Sequence, residues 1–153
     1  MTTCDWRWLA FDELSGQQVY DILRLRGQVF IVEQDCPYLD PDGVDPFCWH
    51  GLGRLNGALV ATARVVPPGI KYAEPSIGRV VSAPEVRRMG VGWALMREAI
   101  AQVEARYPGQ AIRISAQQYL AQFYGALGFV AVTAPYDEDG IPHLEMLRAA
   151  PAA

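Results

Sequence analysis

The chain has 153 residues, enough for one domain built round one hydrophobic core. Half the residues are hydrophobic and a fifth are charged, with a net charge of −4 and a pI near 5.1. That balance excludes a general nucleic-acid or anionic-membrane binder but leaves room for a local basic site. No apolar run approaches the roughly 20 residues that span a bilayer. The N-terminus lacks a basic segment followed by an apolar one, and the three sparse cysteines fit reduced thiols, so a cytoplasmic location is the default expectation.

In chain order, WRWLAF (6–11) predicts a first strand. Residues 13–34 predict a helix, because Val19, Ile22, Leu23, Leu25, Val29 and Phe30 recur at helical spacing and Ser15 or Asp12 can cap its start. DCPYLDPDGVDPF (35–47), with three prolines and four aspartates, predicts a loop. HGLGRL (50–55) and ALVATARVV (58–66) flank Asn56-Gly57, the strongest short-range signal for a tight hairpin. SIGRVVS (76–82) predicts a further strand, stopped by Pro84. A helix follows Gly90 and ends at Tyr107-Pro108-Gly109. AIRIS (111–115) predicts a strand, AQQYLAQFYGAL (116–127) a short helix closed by Gly128, and FVAVT (129–133) a strand. APYDEDGIPH (134–143) predicts a loop and HLEMLR (143–148) the last strand, while 149–153 reads as a flexible tail. The order is β-α-β-β-β-α-β-α-β-β: an α/β domain spanning 1–153 on a single mixed central sheet flanked by helices. Its central strand-helix-strand run predicts a parallel pair.

RVVSAPEVRRMGVGWALM (79–96) places two arginines and two glycines where a helix begins. The first turn of a helix has unpaired N–H groups and a partial positive charge, and glycine lets a ligand approach them. The pattern therefore predicts an anion site, with phosphate the usual occupant. There is no G-x-x-x-x-G-K-[ST], and Leu95 replaces the third small residue of a dinucleotide fingerprint, so NTPases and NAD enzymes are set aside.

Arg87-x-x-Gly90-x-Gly92, beyond a strand and Pro84, resembles motif A of the GNAT acetyltransferases. FYGALGF (123–129) resembles that family's motif B. LRGQVFIVEQDCPYLDPDGVD, IGRVVS and YDEDGIPH extend the likeness, over nearly the whole chain, to the ElaA-type subgroup. The resemblance implies the GNAT fold and acetyl-CoA as cosubstrate. Val80, Val81 and Ser82 would then pair with the pantetheine arm, and Arg87, Arg88, Met89, Gly90, Val91 and Gly92 would hold the pyrophosphate. Arg88 stands where many members have glycine. Tyr124 would lie near the CoA sulfur, where a phenol can protonate a departing thiolate. Gln117 is a further candidate for a bond to the cofactor, and a homodimer is compatible with the family.

The acceptor implied is an amine on a small molecule or peptide, with no nucleic acid or membrane as partner. A lysine-like amine is almost wholly protonated at neutral pH, so a base must take a proton. Many members place a carboxylate near the strand before motif A, and here only Glu74 comes close. The base candidates are Glu33, His50, His143 and Glu145, with Glu33 and His143 preferred alongside Tyr124 as catalytic residues. Acidic residues at 35–45 and 137–139 would favour a cationic amine if they rim its pocket. No metal is expected, since Cys36, Cys48 and His50 lack a ligand spacing and DPDGVD fails as a calcium loop. RLRGQVF followed by an acidic loop also resembles the start of acyl-homoserine-lactone synthases, which use acyl-carrier protein. A non-catalytic CoA-binding module is the third reading.

Overall fold

In the computed structural model, which describes residues 3–152, four antiparallel strands are laid down first: β1 (Asp5–Ala10), β2 (Trp49–Leu55), β3 (Ala58–Val66) and β4 (Ser76–Ser82). Helix α1 (Gly16–Arg26) separates β1 from β2, and α2 (Val91–Arg106) follows β4. The second half holds β5 (Ile112–Gln117), α3 (Ala121–Ala126), β6 (Phe129–Ala131), β7 (Tyr136–Glu138) and β8 (Ile141–Arg148). Here β8 is the centre, pairing antiparallel with β5, β6 and β7. Among the described residues no helix is long and apolar enough to cross a membrane.

Local chemistry accounts for many boundaries. The Ser15 hydroxyl accepts from the Gln18 N–H while the Gln18 amide oxygen accepts from the Ser15 N–H, a reciprocal capping box that starts α1. Asn56 and Gly57 both adopt positive φ (51° and 84°), as the tight hairpin turn requires. In the β1–β2 register Trp8 faces Gly51 and Trp6 faces Gly53; a Cβ on either glycine would come within 2.5 Å of the indole over it. β3 is buried along most of its length, from Val60 to Val66, and supplies the centre of the core with Leu95, Met96 and Ala99 of α2.

Four features differ from the sequence expectation. After Arg26 the first helix continues as a π-helix (Gly27–Glu33), a wider turn that re-aims its end. β5 runs on to Gln117, so Gln117 ends a strand instead of opening a helix; a 3-10 turn (Gln118–Leu120) precedes α3. A short strand, β7, forms inside the acidic 134–143 segment because β8 gives it a partner. Finally, the single sheet is open in its middle. β4 and β5 lie side by side at their starts, where the Arg113 N–H donates to Pro75 O, but no ladder joins them, and the four-stranded halves separate there. Residues 149–152 leave β8 without regular structure, and 153, the last residue of the expected tail, lies outside the described residues.

Candidate active site

The opening between β4 and β5 forms a groove of about 840 Å³. Its walls come from β4 (Val80, Val81, Ser82), from β5 (Ser115, Gln117) and from Tyr124 of α3. A strand pair that parts leaves backbone groups facing the gap, so an extended ligand chain can lie against β4 as a further strand would.

Three residues past Arg87, the member of this loop that lines the groove, Gly90 is the N-cap of α2, with φ 78°, and no side chain caps the helix. A Cβ on Gly90 would meet nothing within 4 Å, and one on Gly92 only the Phe123 Cζ at 4.0 Å. Uncapped N–H groups beside open space fit a phosphate. Val91 is different: its side chain is buried in the core, so only its backbone serves the loop. Arg88 (φ 66°) and Met89 are exposed, and the left-handed backbone at Arg88 explains why glycine suits that position.

Arg87 lines the groove, but its guanidinium is engaged by both carboxylate oxygens of Glu33. The hydrogen bond from Arg87 is the first cause holding the Glu33 carboxyl below its usual range. Expected as a base, Glu33 is thus a weak proton acceptor bound to Arg87. The next residue, Gln34, exchanges amide hydrogen bonds with Gln117 at 3.4 and 3.5 Å, and the Cys36 thiol donates to Asp139 O at 3.0 Å. Residues 33–36 therefore tie the end of the π-helix to the α2 loop, to β5 and to the β7–β8 turn.

Tyr124 is buried, its ring set edge-on to Phe123 at 5.2 Å and Phe129 at 6.1 Å. Burial first, and Tyr119 second, push its hydroxyl up to about 12. His143 lies directly opposite both Gln117 and Tyr136 in the β8 ladders, which places the three on one face of the sheet. Its Nδ1 is 2.8 Å from Ile141 O; a carbonyl only accepts, so Nδ1 carries the proton. Nε2 is turned toward Glu138 Oε2 at 3.2 Å. Beside them the Tyr136 and Ser115 hydroxyls share a hydrogen bond.

The other base candidates are placed elsewhere or already paired. His50 is buried outside the groove, in a small apolar cavity beside α1, with Nε2 2.9 Å from Asp45 O. Both carboxylate oxygens of Glu74 accept from Arg113 at 3.1 Å, and Glu145 accepts from Arg113 at 2.9 Å. Of the aspartates of the 35–47 loop, expected to rim the acceptor pocket, Asp42 lines the groove, Asp35 is exposed, and Asp40 and Asp45 are buried. Asp40, Asp42 and Asp45 form a network with Arg26, Arg64 and Arg79, in which the Arg26 and Arg64 side chains are 1% and 2% exposed. Sequence reasoning missed those arginines. The signal was available in ILRLR, ATARVV and IGRVV, since a charge inside an apolar run must find a partner. Among the described residues no group of His, Cys, Asp or Glu side chains is arranged to hold a metal ion.

The acetyltransferase (GNAT) domain family matches residues 57–149. Protein ElaA of Escherichia coli is 40% identical over 146 residues, covering 94% of this chain and 95% of ElaA. The ElaA crystal structure superposes with a TM-score of 0.89 over 95% of this chain and 99% of that one. A Pseudomonas aeruginosa acyl-CoA N-acyltransferase superposes with a TM-score of 0.92 at 39% identity, over 96% and 100% of the two chains. The AHL synthase LasI, with a TM-score of 0.75 at 13% identity over 96% and 90% of the two chains, shares the fold alone.

Proposed function

The chain belongs to the GNAT acetyltransferase family, among relatives of the ElaA type, and on that premise we propose that it transfers an acetyl group from acetyl-CoA directly to a primary amine. The observation that carries this reading is one groove lined by Arg87 at the uncapped start of α2, by Tyr124 and by His143. Acetyl-CoA supplies the acetyl group as a thioester, with a thiolate as leaving group.

The α2 N–H groups at Gly90–Gly92, together with Arg87, Arg88 and Met89 of the preceding loop, hold the pyrophosphate. Each contact contributes on the order of a kcal/mol, so several act together. Val80, Val81 and Ser82 offer the β4 edge to the pantetheine arm, and Gln117 faces it from β5. The amine nitrogen bonds to the acyl carbon as the carbon–sulfur bond breaks. His143 takes the amine proton at Nε2, directly or through water, and Glu138 then faces the imidazolium. Tyr124 donates its hydroxyl proton toward the sulfur. With that hydroxyl pushed up to about 12 by burial, the phenol acts mainly as a firmly protonated hydrogen-bond donor to the developing thiolate. Glu138 and Asp139, which also line the groove, favour an amine carrying positive charge.

An acceptor screen tests the reading: acetyl-CoA with polyamines, aminoglycosides, amino acids and peptide amines, followed by thiol release. Turnover with any amine supports it. Silence across the panel, with tight CoA binding, points to a CoA-binding module. Binding of acylated carrier protein in preference to acetyl-CoA points to the acyl-homoserine-lactone-synthase type of donor.

A further inference from the structure

β4 forms one edge of the groove, and its backbone is irregular midway along it. In the β3–β4 register Thr62 faces Val81 and Arg64 faces Gly78, so Arg79 and Val80 together face Ala63. This is a β-bulge, which bends a strand and leaves one residue's peptide groups outside the ladder. Arg79 has φ 48°, in the left-handed region that glycine tolerates and other residues resist. Arg79 and Val80 both line the groove.

The side chain of Arg79 accounts for a conformation its backbone would not choose. Nη2 donates to Asp40 O at 2.8 Å and lies 3.4 Å from Asp42 Oδ2. Nε is 2.8 Å from Asp40 Oδ1, close enough for an ion pair though off the line of a hydrogen bond. The guanidinium also lies over the Tyr38 ring, 5.7 Å from its centre. Asp40 and Asp42 are themselves fixed. Arg26 Nε donates to Asp40 at 2.8 Å, and Arg64 grips both oxygens of Asp42 at 2.8 and 2.7 Å. Three guanidinium groups face three carboxylates, so the network tying α1, the 40–45 loop, β3 and β4 is neutral and needs no outside ion.

We propose that Arg79 is a positioning residue for acyl transfer: anchored by Asp40 and Asp42, its side chain holds the β4 bulge in the left-handed form that keeps the strand edge turned to the acyl end of the groove. The inference rests on the acyl-CoA reading above. In this role Arg79 acts through its own backbone.

Variants that separate charge from backbone shape test it. Arg79→Gly and Arg79→Ala both lose the ion pair, but only glycine takes a positive φ freely, and Arg79→Asn is the next most tolerant. Thiol release from acetyl-CoA is measured with the best amine of the screen. The KM for acetyl-CoA is expected within about two-fold of wild type in all three. In Arg79→Ala kcat is expected to fall about ten-fold, while Arg79→Gly stays within about three-fold of wild type and Arg79→Asn lies between. Arg79→Gln gives the same comparison if the alanine variant does not fold. Equal losses in the glycine and alanine variants, or wild-type kcat in alanine, overturn the proposal. If the wild-type chain releases no thiol with any amine, that failure belongs to the acyl-transfer reading. Crystal structures of the variants then decide the positioning claim, with a left-handed residue 79 expected in glycine and a relaxed one in alanine; a left-handed alanine overturns it.

Discussion

Glu33 and Arg87, 54 residues apart in the chain, meet in a two-pronged ion pair beside the uncapped start of α2. Under the proposed function the Glu33 carboxylate thus competes with the pyrophosphate for Arg87. Its removal should tighten CoA binding. Both side chains are about 40% exposed, so the pair is worth no more than about 1 kcal/mol, or about a five-fold change. Glu33→Gln should lower the Kd for CoA by two- to five-fold on that scale, as read by calorimetry. In an Arg87→Ala background the gain should vanish. Weaker CoA binding in Glu33→Gln would show that the carboxylate assists the cofactor instead of competing with it.

Gly92→Asp separates ligand binding from folding. A Cβ there meets only the Phe123 ring edge at 4.0 Å, and a carboxylate near a helix N-terminus is itself favourable. The melting temperature without ligand should stay level or rise slightly. Protection by acetyl-CoA should be lost, because the carboxylate takes the phosphate's place.

Tyr124→Phe keeps the ring that packs against Phe123 and Phe129 and deletes the donor. Turnover should fall about 100-fold, the low end for deleting one donor to a developing charge, with the KM for acetyl-CoA nearly unchanged. Because burial pushes the hydroxyl up to about 12, the wild-type rate should show no basic limb from Tyr124 below about pH 10. A wild-type kcat in the phenylalanine variant would remove Tyr124 from the chemistry.

Stability should decline in acid in two stages. Burial, set against its contact with Asp45, lowers His50 from the ordinary 6.5, so the unfolded chain binds that proton first. Its contribution is present above about pH 6.5 and is lost as the pH falls through the lowered value. Hydrogen bonds from Arg64 are the first cause holding Asp42 well below the usual carboxylate range. For Asp45 the cost of burial is outweighed by Arg26 and Arg64. Their contribution is present above about pH 4 and is lost in stronger acid. Melting temperatures from pH 8 to pH 3 should show both stages, and His50→Gln should flatten the upper one alone. A single transition confined to pH below 4 would show that His50 does not contribute.

Much of the molecule was legible because short stretches of chain decide it. The 58–66 strand, the Asn56-Gly57 turn, the Ser15 cap and the start of α2 after Gly90 depend on residues within a few positions of one another. The uncapped helix start with its glycines was legible for the same reason, as these residues are contiguous. Gln117 shows where this fails: the helical pattern of 116–127 is real, but pairing with His143 of β8 draws Gln117 into β5. β7 is a similar case, with a strand formed in an acidic segment by pairing with a neighbour.

The sequence by itself determined the strand and helix order apart from β7, the start of α2 after Gly90, and the family. Propensity, capping and glycine placement act locally and are written in the order of residues. Only the tertiary structure decided that β4 and β5 part, that Glu33 answers Arg87, and that three loop aspartates pair with three arginines. The ion pairs among these bring together charges from distant segments, 54 residues apart for Glu33 and Arg87 and 39 for Asp40 and Arg79. A buried charge is stable only beside its partner, so the fold must form before the partner is known.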